Sequence, residues 1–384
     1  STTRGSRDNG SMHIAHVTSF YAVPALAPSS AVRSRGLAYR AAGHEFTVIV
    51  PGTEPSVTWA EYGTVVTVPA RGRALARGFV PVAKAIRRAL EKLVPDQIEV
   101  ADRLSARELG AWALSSSVPA IFIVDTPLEE AFSSHSDVAG YDRVVSVSPH
   151  PASDPVTAGP HGGVPSADRH STSTTLDTEN PMNAPDGVNL EVFSPLRHNS
   201  GLRDSSDADL VLLCATPLTS AGQPALAIDL IRRMTASGKD VHLVILGDGP
   251  LRSRLERSSA ELPVQFLSAR DLELDERAEV FATADIALVT TGGHAGHAIA
   301  LEALATGTPV VNSHTRGIPI AFVSGGGLTV EPELSHIEHA IRVLGEEPVE
   351  NRRDAARSTA VSFDSIESER AFINLHESLH RREK

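Results

Sequence analysis

The chain has 384 residues, of which 41% are apolar and 21% charged, and a formal net charge of −12. This length suffices for about two or three domains with large buried cores, and the ordinary composition excludes a fibrous or wholly disordered protein. The acidic charge argues against non-specific binding to nucleic acid, so we expect no nucleic-acid partner and at most peripheral membrane contact. A single cysteine, Cys214, excludes an internal disulfide and favours a reducing, cytoplasmic location.

The first half of the chain predicts one doubly wound α/β domain over residues 12–149. Residues 1–11 are polar and are interpreted as a disordered tail or an expression remnant. Short apolar segments then alternate with helical patterns, as expected for a parallel sheet covered by helices on both faces. The strands are predicted at 13–18, 45–50, 64–69, 98–100, 120–124 and 143–147, and the helices at 31–42, 80–93 and 106–114.

The second half repeats this alternation after an interruption. Residues 150–186 are rich in Pro, Ser, Thr, His, Gly and Asp without periodicity, which predicts an irregular linker. Strands are predicted at 209–215, 241–246, 264–267, 286–289, 309–312 and 328–330, and helices at 225–237, 251–260, 275–284 and 298–305. This domain is predicted to span 187–362, followed by a terminal helix within 363–384. Ligands are expected in the cleft between the two sheets.

The loop after the first strand excludes two large enzyme classes. Residues 18–30 contain no glycine, which argues against a nicotinamide or flavin dehydrogenase, because its phosphate turn needs close backbone approach. No G-x-x-x-x-G-K-[ST] sequence is present, so a P-loop ATPase is excluded as well.

A glycine-rich segment, TTGGHAGH at 290–297, joins a predicted strand to a predicted helix. Free N–H groups and the positive helix end would point into the cleft, which favours a phosphate site. Glu302, about one turn into that helix, would reach ligand hydroxyls, or else lie exposed on the surface. For His294 and His297 three interpretations stay open: phosphate or sugar contact, a metal site without an apparent third ligand, or no function.

Several motifs stand in a fixed order: YRAAGHE at 39–45, GVNLEVFSP at 187–195, GDGPLR at 247–252 and LEALATGTPVV at 301–311. Together they resemble the retaining glycosyltransferases of family 4, which have the GT-B fold, from residue 12 to about 379. The sequence PDQIEVADR at 95–103 points to actinobacterial mannosyltransferase-like members. The resemblance implies two Rossmann-like parallel-sheet domains facing a central cleft, with the terminal helix packing back on the first domain. It also implies retaining transfer of a hexose from a GDP- or UDP-linked sugar to a hydroxyl acceptor, with no metal or other cofactor.

The resemblance also implies where each substrate binds. The acceptor, a glycolipid, a glycan or a small molecule, would bind the first domain and the nucleotide sugar the second. Glu302 would hold the ribose, the backbone at 266–268 would contact the base, and the turn at 247–249 would flank the site or be a simple tight turn. The implied donor-binding residues are Thr216, Gly247, Gly249, Phe266, Leu267, Ser268, Gly293, Gly296, His297, Ala298 and Glu302.

The chain departs from the family pattern around the diphosphate. A glycine pair of the first loop aligns with Leu26 and Ala27, and an arginine and a lysine that hold the diphosphate align with Thr216 and Ala221. The first glutamate of the E-x7-E motif aligns with His294. Losing two charge-assisted contacts, each worth about 1.5–3 kcal/mol, would weaken diphosphate binding strongly.

Two residues are candidate catalytic groups. Protonated His294, or His297, would assist the leaving diphosphate, because a nearby anion favours the charged imidazole. Asp125 replaces a histidine after the strand at 120–124 and would orient the acceptor hydroxyl or act as a base, or else cap a helix. Three functions stay open: an active glycosyltransferase, a catalytically degenerate scaffold that binds a ligand or partner, and another GT-B enzyme such as a nucleotide-sugar epimerase.

Overall fold

The computed structural model contains two α/β domains, each built on one sheet. It describes residues 10–18, 29–52, 54–69, 82–124, 138, 140–148, 182–185, 187–204, 206–269, 271–314, 320 and 322–382. Asp125, Leu26 and Ala27 therefore lie outside the described residues, as does most of the predicted linker.

The first domain contains a sheet with the strand order β3-β4-β2-β1-β5-β6-β7-β8. All its described strands run parallel except β3, which is antiparallel to β4. Its elements are β1 (His13–Val17), α1 (Ser30–Ala41), β2 (Glu45–Gly52), β3 (Ser56–Ala60), β4 (Gly63–Pro69), α2 (Ala83–Leu93), β5 (Gln97–Val100), α3 (Ala106–Ser116), β6 (Ala120–Val124), β7 (Arg143–Ser148) and β8 (Met182–Pro185).

Two strands of this sheet were not predicted, and both have a physical explanation. The strand β3 lies at the sheet edge, where Val57 and Trp59 are 65% and 85% exposed, so no buried face marks it in the sequence. The strand β8 pairs with β7 within the segment predicted as a linker, so residues 182–185 are a correction to that prediction. A proline is tolerated there because β8 is the other edge.

The second domain contains a sheet with the order β11-β10-β9-β12-β13-β14, and its described strands are all parallel. Most element bounds agree with the prediction within a few residues. The elements are α4 (Ser200–Asp204), β9 (Leu210–Ala215), α5 (Pro224–Ala236), β10 (Val241–Leu246), α6 (Arg252–Ser258), β11 (Val264–Leu267), α7 (Leu274–Thr283), β12 (Ile286–Val289), α8 (Gly293–Ala305), β13 (Val310–Asn312), β14 (Gly327–Thr329), α9 (Leu334–Glu346), α10 (Val349–Ala360) and α11 (Ile366–Arg382).

The final helix, α11, packs on the first domain around a buried carboxylate. Glu99 of β5 is fully buried and is bonded by His16 at 2.7 Å, by His376 of α11 at 2.9 Å and by Arg35 at 3.4 Å. Burial by itself raises the pKa of Glu99, but the Arg35 guanidinium and the two histidine hydrogen bonds outweigh it and hold that pKa well below its ordinary value. The charge therefore stays buried because it is fully partnered.

Three consecutive residues of α1 connect the parts of the molecule. Arg33 donates to the carbonyl of Leu272 in the second domain at 3.0 Å, and Ser34 donates to Glu369 of α11 at 2.6 Å. Arg35 reaches Glu99 in the core of the first domain. The helix that follows the first strand thus fixes the second domain and the final helix against the first sheet.

Candidate functional site

The carboxyl ends of β9, β10, β12 and β13 meet at one edge of the second sheet, where ligands bind in open parallel sheets. Buried hydroxyl groups follow three of these strands, those of Thr216, Thr290 and Ser313. Thr216 and Thr290 both donate to the carbonyl of Gly222, at 2.8 and 2.6 Å. This edge therefore carries neutral hydroxyls, and the proton of the Thr216 hydroxyl is already engaged within the chain.

The cysteine also lies at this edge, and its thiol is unreactive. Cys214 is buried near the end of β9, with its sulfur 3.7 Å from the Thr290 hydroxyl. Burial raises the pKa of Cys214 to about 12, against a smaller lowering by that hydrogen bond. The thiol stays protonated at neutral pH and is no nucleophile.

The turn after β10 packs against the loop after β9. A Cβ on Gly247 would lie 2.0 Å from the carbonyl oxygen of Thr216, and one on Gly249 would lie 2.5 Å from that of Leu218. The two loops are also joined by a hydrogen bond from Leu218 N to Asp248 O, at 3.0 Å. The neighbouring loop of this chain thus explains why both positions need glycine, as the tight-turn alternative has it, and the place of Gly247 and Gly249 beside a donor stays a prediction.

The segment predicted to contact the base is tied to the same turn. Asp248 accepts a hydrogen bond from the Ser268 hydroxyl at 3.1 Å, and Arg252 donates to the carbonyl of Phe266 at 3.3 Å. The carbonyl of Leu267 accepts from Gly247 at 3.0 Å. Phe266, Leu267 and Ser268 are thus held at the ligand edge, and their contact with a base stays a prediction.

The helix α8 begins five residues earlier than predicted, at Gly293 rather than Ala298. Buried alanine and leucine side chains pack this helix on the sheet and override the poor helix propensity of its glycines. Gly292 is the N-cap, and Gly293 has a left-handed backbone with φ of +66°. Gly296 and Ala298 therefore lie inside the helix, where their N–H groups bond within it, and only the first turn offers free N–H groups.

Among the described residues, nothing covers Gly293 at the start of α8. Gly293 and Ala295 are exposed, and a Cβ added to Gly293 would meet no described atom within 4 Å. The ring of His314, two residues after β13, lies against the other glycine: a Cβ on Gly292 would fall 2.2 Å from its Nδ1. Sequence reasoning missed His314, and its position just beyond a strand end was the available signal. Free N–H groups facing open space suit an anionic group.

The two histidines of α8 differ in what the structure shows. His297 is fully buried, with its ring 5.6 Å from that of Phe363 in an edge-on arrangement. The predicted contact of this side chain with the donor is therefore corrected: one turn after Gly293, it points into the domain core. His294 lies in the first turn of α8, but its side chain is outside what the structure describes. Its catalytic role stays a prediction.

Glu302 is buried, so the alternative of an exposed carboxylate is wrong. Its Oε2 accepts two hydrogen bonds from Arg277 of α7, from Nε at 2.9 Å and from Nη2 at 2.6 Å. Arg277 was missed, because 25 residues separate the partners and no local pattern links them. In the described part of the chain, no group of three His, Cys, Asp or Glu side chains is placed to hold a metal ion.

Comparison with known proteins confirms the predicted resemblance. Residues 211–346 match the family model of Glycosyl transferases group 1. The chain is 29% identical over 374 residues, 92% of each chain, to a GDP-mannose-dependent alpha-(1-6)-phosphatidylinositol dimannoside mannosyltransferase of Mycobacterium tuberculosis (strain H37Ra). It is 30% identical over 190 residues, 45% of this chain and 42% of the other, to a D-inositol 3-phosphate glycosyltransferase of Mycolicibacterium smegmatis.

The fold is shared with solved glycosyltransferase structures. The sucrose-phosphate synthase of Thermosynechococcus elongatus superposes with a TM-score of 0.63 at 16% identity, over 97% of this chain and 100% of that one. The two parallel-sheet domains thus form the predicted GT-B fold. The family model matched by residues 211–346 and the named mycobacterial relatives, rather than these structures, indicate that the chain is a glycosyltransferase. Its named relatives are glycosyltransferases, so the comparisons give no support to a scaffold without catalysis. In the described ranges, no helix combines the length and apolar character needed to cross a membrane.

Proposed function

We propose that this glycosyltransferase transfers a mannosyl residue from GDP-mannose to a hydroxyl group of a phosphatidylinositol mannoside. Transfer would retain the configuration at the anomeric carbon and need no metal ion. These donor and acceptor classes are the ones in the name of the mycobacterial relative, which aligns with 92% of this chain at 29% identity. A UDP-linked sugar is the alternative donor.

The open start of α8 carries this proposal. When the bond between the anomeric carbon and the diphosphate breaks, negative charge develops on the leaving diphosphate. The free N–H groups of the first turn and the positive end of the helix are fixed in place and can stabilise that charge. They would replace part of the charge compensation that the arginine and lysine aligned with Thr216 and Ala221 supply in the family. Glu302, in the same helix, would hold the ribose.

On the acceptor side, Asp125 is the proposed group. It directly follows β6, whose carboxyl end lies at the ligand edge of the first sheet. A carboxylate there could accept a hydrogen bond from the acceptor hydroxyl and orient its oxygen toward the anomeric carbon. The Asp125→Asn variant should therefore lower kcat and leave GDP binding unchanged.

The test is a donor and acceptor screen with the full chain. GDP-mannose, UDP-glucose and ADP-glucose are each incubated with vesicles containing phosphatidylinositol dimannoside, and nucleotide release and lipid mass are measured. We expect GDP release and addition of one hexose with GDP-mannose only, undiminished by EDTA, and an α-linked product by NMR. If GDP, UDP and ADP all fail to bind in calorimetry, the proposed donor site does not exist.

A further inference from the structure

We infer that Arg277 is a positioning residue for the donor ribose. It holds one carboxylate oxygen of Glu302 so that the other oxygen faces the ribose hydroxyls. The inference rests on the proposed function, because it assigns Glu302 to the ribose. It adds a residue to which neither the sequence motifs nor the comparisons give a role.

The contact geometry is what assigns this role. Both Arg277 hydrogen bonds end on Oε2 of Glu302, and every hydrogen bond of that carboxylate to a described side chain goes to the same oxygen. The side chains are 13% and 5% exposed, so the pair is shielded from water. A planar guanidinium that bonds through two nitrogens fixes the rotation of the carboxylate. Oε1 is therefore left in a fixed direction, and no described residue donates a hydrogen bond to it.

Arg277 is held by a well-anchored helix. It stands on α7, whose start is closed by a capping box between Glu273 and Glu276. Arg33 of the first domain donates to the carbonyl of Leu272 just before that start. The guanidinium also lies over the Phe281 ring, at 5.1 Å from its centroid. Through Arg277, the Glu302 carboxylate is thus connected to the contact between the two domains as well as to its own helix.

A purely structural ion pair makes a different prediction. Buried ion pairs contribute little net stability compared with apolar replacements, whereas removing one partner destabilises the protein. If the Arg277–Glu302 pair were only structural, breaking it would lower the unfolding free energy. It would not change how strongly the protein prefers ligands that carry ribose hydroxyls. Discrimination between GDP and 2′,3′-dideoxy-GDP isolates the contact at issue, because the two ligands share the base and the diphosphate.

The experiment is a calorimetric titration of both ligands with wild type, Glu302→Gln, Arg277→Met and Arg277→Lys. The matched control is Arg203→Met, which breaks the Arg203–Asp285 pair of the same domain, a contact of 3.3 Å. Wild type and the control should prefer GDP by at least about tenfold, as expected for a hydrogen bond to a charged group. Glu302→Gln and Arg277→Met should lose most of this preference with little change in dideoxy-GDP affinity, and Arg277→Lys should keep part of it.

The outcomes separate the two claims. If Glu302→Gln loses the preference and Arg277→Met keeps it, Arg277 is not a positioning residue and the proposed function stands. If wild type binds GDP without preferring it to the dideoxy compound, the ribose role of Glu302 and the inference both fail. If wild type binds no nucleotide, the proposed function itself fails. Thermal unfolding checks each variant, and Arg277→Lys replaces Arg277→Met if the latter does not fold, since one ammonium cannot form both bonds.

Discussion

Replacing Gly293 with alanine tests the start of α8, and Gly238 provides a control with the same backbone demand. Gly293 has a φ of +66° and Gly238 a φ of +80°, and an added Cβ would meet no described atom within 4 Å at either position. Both substitutions thus place an L-residue in the left-handed region without a steric clash. Only Gly293 lies at the proposed diphosphate site, whereas Gly238 follows α5.

The expected magnitudes follow from the backbone. An L-residue in this region costs roughly 1–2 kcal/mol, so both variants should lose about that much unfolding free energy. For 384 residues with an unfolding entropy of about 2.1 cal/mol/K each, that corresponds to a fall in Tm of about 1–3 °C. In Gly293→Ala we expect the backbone to relieve part of this strain by shifting toward negative φ, which turns the first N–H groups away from the ligand. Losing one contact with the charged diphosphate, worth about 1.5–3 kcal/mol, lowers GDP affinity about 10- to 150-fold.

The assay compares GDP and guanosine in calorimetry with both variants. Gly293→Ala should bind guanosine like wild type and GDP much more weakly, because only GDP carries the diphosphate. Gly238→Ala should bind both like wild type. Equal GDP affinity of the two variants would refute the assignment of the diphosphate to this helix start.

Three further predictions concern the folded chain. Glu99→Gln should cost about 3–5 kcal/mol in unfolding free energy at pH 7, because it leaves the buried Arg35 unpaired. The pKa of Glu99 is depressed in the folded state. Its contribution to the unfolding free energy is therefore present above the ordinary pKa of 4.5 and is lost as pH falls through the folded-state pKa. Urea unfolding at several pH values measures this loss. Phe363→Ala should lower the unfolding free energy by about 3–5 kcal/mol and leave GDP affinity unchanged, because Phe363 packs on the core side of α8. Urea unfolding measures the first effect and calorimetry the second. Acrylamide should quench Trp59, which is 85% exposed, and spare Trp112, with Trp59→Phe removing the quenched emission.

The fold could be predicted because most strands carry a signal of their own. Strands such as β6 and β12 are continuous apolar runs buried on both faces, which the sequence shows directly. The edge strand β3 has no buried face, and β8 lies in a polar segment, so neither pattern indicated a strand. The start of α8 was misplaced because its glycines and histidines have low helix propensity, while the packing that stabilises them is tertiary.

The same distinction between local sequence signals and tertiary contacts applies to the candidate site. Glu302 could be proposed as a site residue because it lies in an ordered motif after a glycine-rich segment, and its contact with the ribose stays a prediction. Arg277 could not, because an arginine in a helix has no sequence feature that names its partner. The burial of His297 depends on which face of α8 meets the sheet, and a helix predicted to start at Ala298 leaves His297 in a loop to which no face is assigned. The glycines at 247 and 249 show the same limit, since a close approach needs glycine whether a ligand or the chain itself is the neighbour.

The electrostatics of the whole chain explain why the attraction for a donor must be local. A protein with a net charge of −12 repels a nucleoside diphosphate at long range, and salt screens that repulsion beyond about 10 Å. Binding therefore depends on groups in direct contact. Backbone N–H groups at a helix start act at that range, carry no mobile charge and need no reorganisation as the diphosphate leaves. Among the described residues, Thr216 is bonded to Gly222 and Arg277 to Glu302, so we propose that the first turn of α8 supplies these groups.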